Sequence, residues 1–172
     1  MAVTRAIIKG IEWLSKWSGM VAGFFILGMI GTVCYEVFMR YLLNSPTMWY
    51  SDVNYMLGGS LMAVGQALVF SRGGHVRIDV VSTKFSERTQ AIIDIFFTVV
   101  VFIPAFFMIS RVYWEDVAFA VKINQTLMRS TWYPVSWPFK TALATGFTLF
   151  LVQGVANLLK DVTKLITRGK QI

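Results

Sequence analysis

The chain has 172 residues, of which 56% are hydrophobic and only 15% charged, and its mean hydropathy is +0.61. No ordinary soluble domain of this size has such a composition, so the chain reads as an integral membrane protein. Its net charge of +7 comes from basic residues grouped at segment ends instead of being interleaved with aromatic rings, which points to membrane topology and away from nucleic-acid binding.

Val3, Ile7, Ile11, Leu14 and Trp17 recur at helical spacing, and Arg5, Lys9, Glu12 and Lys16 fill most of the positions between them. This predicts an interfacial amphipathic arm over residues 3–17. Trp13 and Trp17 would lie in the acyl boundary, with Arg5, Lys9 and Lys16 toward anionic headgroups. A cleavable signal peptide is the rival reading; no small-x-small cleavage site follows the run, and three more apolar segments remain to be inserted.

The first spanning helix is predicted over 17–40. Its 19 uncharged residues from Trp17 to Tyr35 cover about 28 Å, close to the hydrocarbon thickness of a bilayer. Gly19 and Gly23 form a G-x-x-x-G spacing that lets another helix approach. The only cysteine, Cys34, can build neither an internal disulfide nor a thiolate cluster and reads as a small packing residue.

Glu36 and Arg40 then stand four apart on one helix face, an arrangement that neutralises both near the membrane boundary. Asn44, Ser45 and Pro46 break the helix, and Tyr41, Trp49, Tyr50 and Tyr55 fall at headgroup depth. The segment from Glu36 to Asp52 is thus the turn of a transmembrane hairpin.

The second span, 50–71, concentrates Gly58, Gly59, Ser60, Ala63, Gly65 and Ala67 and should be the most crowded helix of the bundle. Gln66, its strongly polar interior side chain, reads as a hydrogen bond to a neighbouring helix. A glycine turn at Gly73 and Gly74 follows, in a connection holding Arg72, His75, Arg77, Asp79, Lys84 and Arg88, and the positive-inside rule makes it cytoplasmic.

The third span is predicted over 89–110, continuing as a helix to Val121, with Asp94 near its inner end and a kink at Pro104. Tyr113, Trp114, Glu115 and Asp116 mark the opposite interface. From Lys122 to Trp137, Pro134 and several aromatic rings, with Pro138 directly after, predict a structured interfacial loop. The last span, 141–159, is uncharged over 19 residues and leads into a basic tail.

With both termini and the 72–88 connection on one side, that side holds 11 of the 16 lysines and arginines and the other side five. The fold class expected is therefore all-α: one membrane domain over 1–172, four transmembrane helices plus the amphipathic arm, both termini cytoplasmic.

No cofactor or metal site is expected. His75 is the only histidine, so paired axial histidines for a transmembrane haem cannot come from this chain and a haem would need Met ligands or a partner chain, and no phosphate-loop, zinc-protease or nucleophile-elbow motif occurs. Glu36, Asp52 and Asp94 all fall near span ends. A translocation path usually needs acids or unwound backbone at the bilayer centre, so the chain reads as an accessory subunit of something larger and not as an enzyme.

Two motifs carry a family resemblance: Arg40-Tyr41 followed by Asn44, Pro46, Trp49 and Asp52, and Arg72-Gly73-Gly74-His75-Val76-Arg77-Ile78-Asp79. With the four spans and the region from Pro134 to Pro138, the chain resembles the small membrane subunit, the DctQ type, of tripartite ATP-independent periplasmic (TRAP) transporters. Asp52 stands where that family's pattern leads one to expect a glutamate.

The resemblance implies a bacterial inner-membrane complex. A periplasmic binding protein would capture an organic acid, and a large membrane subunit would move it inward on a sodium gradient. The small subunit would widen the stationary part of the large one without a substrate site of its own. Glu36, Arg40, Trp49 and Asp52 would then serve the outward hairpin or meet the binding protein, and His75, Arg77 and Asp79 would fix the inner turn against the large subunit. Two readings from other classes are a stand-alone four-helix exporter acting as a homodimer, which lacks a mid-membrane carboxylate in the first span, and a membrane redox subunit.

Overall fold

The computed structural model describes residues 2–72 and 87–168. Its helices in chain order are α1 (Ala2–Leu42), α2 (Tyr50–Ser71), α3 (Glu87–Phe97), a π-turn (Thr98–Phe102), α4 (Ile103–Lys122) and α5 (Trp137–Arg168). Four stretches are long and apolar enough to cross a membrane: Ala6–Leu42, Tyr50–Ser71, Ile92–Lys122 and Trp137–Thr163. The protein is an all-α, four-span membrane protein. One end of the bundle carries the α1–α2 turn and the 123–136 loop and is called the hairpin end; the other carries the start of α1 and the end of α5.

The arm and the first span are one uninterrupted helix. At 1.5 Å per residue, the 41 residues of α1 reach about 61 Å, roughly twice a hydrocarbon slab. No proline interrupts the stretch, and its glycines are tolerated because a membrane helix has no water to compete for its backbone. Residues 3–17 do not turn all of their polar side to headgroups, because Ser15 and Ser18 are buried and Glu12 pairs with Lys160 of α5. Trp13, Leu14 and Trp17 stay exposed on the other side. Of Arg5, only the backbone belongs to the described set.

Close backbone approach sets the crossing of α2 and α5. A Cβ built on Gly146 would lie 2.4 Å from the carbonyl carbon and oxygen of Ala63, so only glycine fits there. Ala63, Ala67, Ala144 and Ala156 are buried in the same core, as is Phe150. Gly19 of the G-x-x-x-G spacing meets Leu68, whereas Gly23 has nothing near it. Cys34, read from the sequence as a packing residue, is exposed. The most enclosed span is the last one, ahead of the second, which the sequence marked as most crowded.

The third span contributes none of its most apolar stretch to the interior and attaches to the bundle through aromatic rings instead. Phe102 lies 4.7 Å from Phe106 and 5.2 Å from Phe150, and Phe70 lies 4.9 Å from Phe150, all centroid to centroid. Where Pro104 predicts a kink, the structure places the π-turn just before it. Proline cannot donate to the preceding turn, and the local rewinding gives the carbonyl of Thr98 the N–H of Ile103.

Gly146→Ala should separate α2 from α5 and lower stability by about 1–3 kcal/mol. Gly23→Ala, with open space around it, should be near neutral. Thermal unfolding of the two purified variants in detergent checks the difference.

Candidate functional site

The side chains able to do chemistry gather at the two ends of the bundle. At the hairpin end, Glu36 lies near the close of α1 and is buried to 4% exposure. Its Oε1 accepts from Arg40 Nη2 at 2.6 Å and Nε at 3.0 Å. Its Oε2 accepts the backbone N–H of Thr47 at 3.1 Å and also the Thr47 hydroxyl. One carboxylate thus ties the helix to the turn that leaves it. Asn44 makes the reversal with φ of 46°, a left-handed conformation that asparagine tolerates, and Tyr35 stacks on Trp49 across the turn at 5.6 Å.

Asp52, in the first turn of α2, is fully buried. It accepts the Ser130 hydroxyl from the 123–136 loop, and Ser130 in turn accepts the backbone N–H of Trp132 at 3.1 Å. Its position among the free N–H groups at a helix start suits a negative charge. Oδ1 of Asp52 finds no partner among the described residues.

Three more contacts fasten the same loop. The Arg129 guanidinium sits 4.0 Å over the Tyr55 ring, the Thr131 hydroxyl donates to Met48 Sδ at 3.3 Å, and a bridge joins Thr126 to Val135. Lys140 Nζ donates to Asp116 at 2.8 Å and to Gln125 at 2.7 Å, anchoring the loop base between α4 and α5.

At the other end, polar side chains form a ladder across three helices. Ser15 donates to Gln153 Oε1 at 2.7 Å, Gln153 to Asn157 at 3.1 Å, and Asn157 to the Phe70 carbonyl at 3.3 Å. Lys160 reaches Asn157 at 3.4 Å and Glu12 at 2.6 Å. Between the ends, Thr32 donates to Asn54 at 3.2 Å and so joins α1 to α2.

Of the residues singled out from sequence, Glu36 pairs with Arg40, Trp49 stacks on Tyr35 across the same turn, and Asp52 is bonded by Ser130 from the 123–136 loop. His75, Arg77 and Asp79 lie outside the described residues. Lys9, Trp13, Lys16 and Trp17 are exposed along the first half of α1. Gln66, expected to bond a neighbouring helix, is placed with Nε2 buried and without a partner among the described residues. The sequence reading missed Thr47, Ser130 and the whole Ser15–Gln153–Asn157–Lys160 ladder. The spacing of Gln153 and Asn157, four apart on one face of an otherwise uncharged span, was the available signal for the ladder.

Chemically, these groups hold helices together. Both oxygens of Glu36 are occupied, and among the described residues no three His, Cys, Asp or Glu side chains gather as a metal would require. The fold is that of a small multi-pass membrane protein braced by internal polar contacts.

Comparison with known proteins supplies the family. The model for the DctQ component of tripartite ATP-independent periplasmic transporters matches residues 29–164. The chain is also similar to the sialic acid TRAP transporter small permease protein SiaQ of Vibrio cholerae serotype O1, with 27% identity over 90 residues, 52% of this chain and 49% of the relative. It therefore spans about half the length of that relative. The chain belongs to the DctQ family and is a multi-pass protein of the bacterial inner membrane; that family is a transporter component and not an enzyme family.

Glu36→Ala should release the turn, since it removes the acceptor for Arg40 and for Thr47 together. Proteolysis within residues 43–49 should then run about tenfold faster than in the wild type. Arg40→Ala should do less, because Arg40 is half exposed and Thr47 keeps its acceptor.

Proposed function

We propose that this chain is the stationary small subunit of a sodium-coupled TRAP transporter that imports an organic acid delivered by a periplasmic binding protein. Family membership supports the assembly, and the name of the Vibrio relative makes sialic acid one candidate within the substrate class. The observation that supports the scaffold role is the bracing of α1, α2 and α5 by polar contacts: Glu36 holds the turn at the hairpin end, Thr32 and Asn54 join α1 to α2 between the ends, and Gln153 and Asn157 tie all three helices at the other. A carrier that slides its cargo domain through the bilayer needs a partner that does not deform, and a bundle pinned at both ends resists shear.

In this reading both termini are cytoplasmic and the hairpin end faces the periplasm, as the distribution of basic residues favours. The clasped 123–136 loop and the Glu36–Arg40 turn then lie where the binding protein delivers its cargo. His75, Arg77 and Asp79 meet the large subunit from the cytoplasmic side. The arm lines α1 with basic and tryptophan side chains that anchor it among headgroups.

Expressed with the large subunit, the tagged chain should copurify with it, and deleting the chain should reduce organic-acid uptake to background in cells that still make the other two components. Full uptake without it would overturn the proposal. Proton-coupled efflux by the isolated chain in liposomes would favour the exporter instead.

A further inference from the structure

The outer side of the α4–α5 pair holds a groove of about 530 Å³, open along one side and within the roughly 300–1,000 Å³ range of small-molecule sites. Phe107 and Leu151 line its end toward the bilayer centre, and Arg111, Trp114 and Glu115 line its end toward the hairpin side. Ser110 lies between them, 6% exposed, with its Oγ buried and without a partner among the described residues. Trp114 donates its indole N–H to Thr148 at 3.1 Å, which closes the floor of the groove between the helices.

Arg111 and Glu115 form an ion pair at 2.9 Å with side chains 72% and 64% exposed. Arg111 stands five residues deeper along α4 than Asp116, whose pair with Lys140 marks the loop base, hence about 7 Å closer to the bilayer centre. A buried hydroxyl without a partner is uncommon, and the exposed ion pair beside it leaves the terminal amino groups of Arg111 open to a further acceptor. Both call for a polar occupant.

We propose that this groove binds one glycerophospholipid with a zwitterionic, primary-ammonium headgroup. The order of groups along the groove, apolar, hydroxyl, then charged, is the order of acyl chain, ester and headgroup along such a lipid. Ser110 donates to the ester carbonyl. Arg111 meets Glu115 through Nε alone, so its terminal amino groups take the phosphate. Glu115 takes the ammonium with its second oxygen. A neutral Arg–Glu pair complements a zwitterion, whereas an anionic headgroup leaves Glu115 opposed by like charge and a quaternary ammonium has no N–H to donate to it.

Native mass spectrometry of the full chain, extracted and re-equilibrated with equal amounts of phosphatidylethanolamine, phosphatidylglycerol and phosphatidylcholine, tests this. The wild type should retain one phosphatidylethanolamine preferentially. The net-charge-neutral double substitution Arg111→Leu with Glu115→Leu should abolish the preference, and Ala118→Trp should fill the groove and remove the retained lipid. Ser110→Ala, nearly isosteric and safe for folding, should weaken retention by about threefold. Equal retention of all three lipids, or retention unchanged in Ala118→Trp, reduces the groove to ordinary lipid contact and overturns the proposal. So does an Ala118→Trp chain that keeps its lipid but loses a copurifying membrane protein, which makes the groove a protein interface.

Discussion

Inside a bilayer, apolar side chains gain nothing by leaving lipid for a neighbouring helix, so the architecture depends on what lipid cannot offer: close backbone contact and polar partners. The contact of Gly146 with the Ala63 backbone is the first kind, and the burial of Glu36 beneath Arg40 and Thr47 is the second. The first joins α2 to α5, and the second fixes the end of α1 to the turn that leads into α2. Removing either leaves helices that are individually stable in a membrane and have much less reason to stay together.

The third span stands outside this arrangement. It joins α5 through stacked rings, ends in the Lys140–Asp116 contact, and leaves most of its apolar surface facing outward. Aromatic stacking holds position without demanding the backbone proximity that small residues permit, so this helix can be rich in phenylalanine where α2 is rich in glycine and alanine. The π-turn before Pro104 belongs to the same region, and its Phe102 carries the ring contacts.

Membership of the DctQ family gives these contacts a functional sense. Among the described residues the polar side chains bond chiefly to one another: at the hairpin end, between Thr32 and Asn54, and along the Ser15–Asn157 ladder. The hairpin end is the more elaborate of the two ends, with a loop held by Asp52, Tyr55, Met48 and Lys140 instead of by its own helical structure.

Much of the fold was written along the chain, because a bilayer imposes a length and an apolar composition that four segments satisfy one by one. The Glu36–Arg40 pair was equally legible, since a spacing of four on a helix puts two side chains together wherever the helix goes. The continuity of α1 through Trp17 was not, because an amphipathic arm and the extension of a span share one local pattern and differ only in what packs on Glu12 and Ser15. Nor could Asp52 be matched with Ser130, 78 residues away, or Ser15 with Gln153. Local periodicity determined which segments span the membrane and where their charges sit. Only the tertiary structure decided which polar groups meet, because a buried hydrogen bond depends on the registration of separate helices, a quantity that no single stretch of sequence contains.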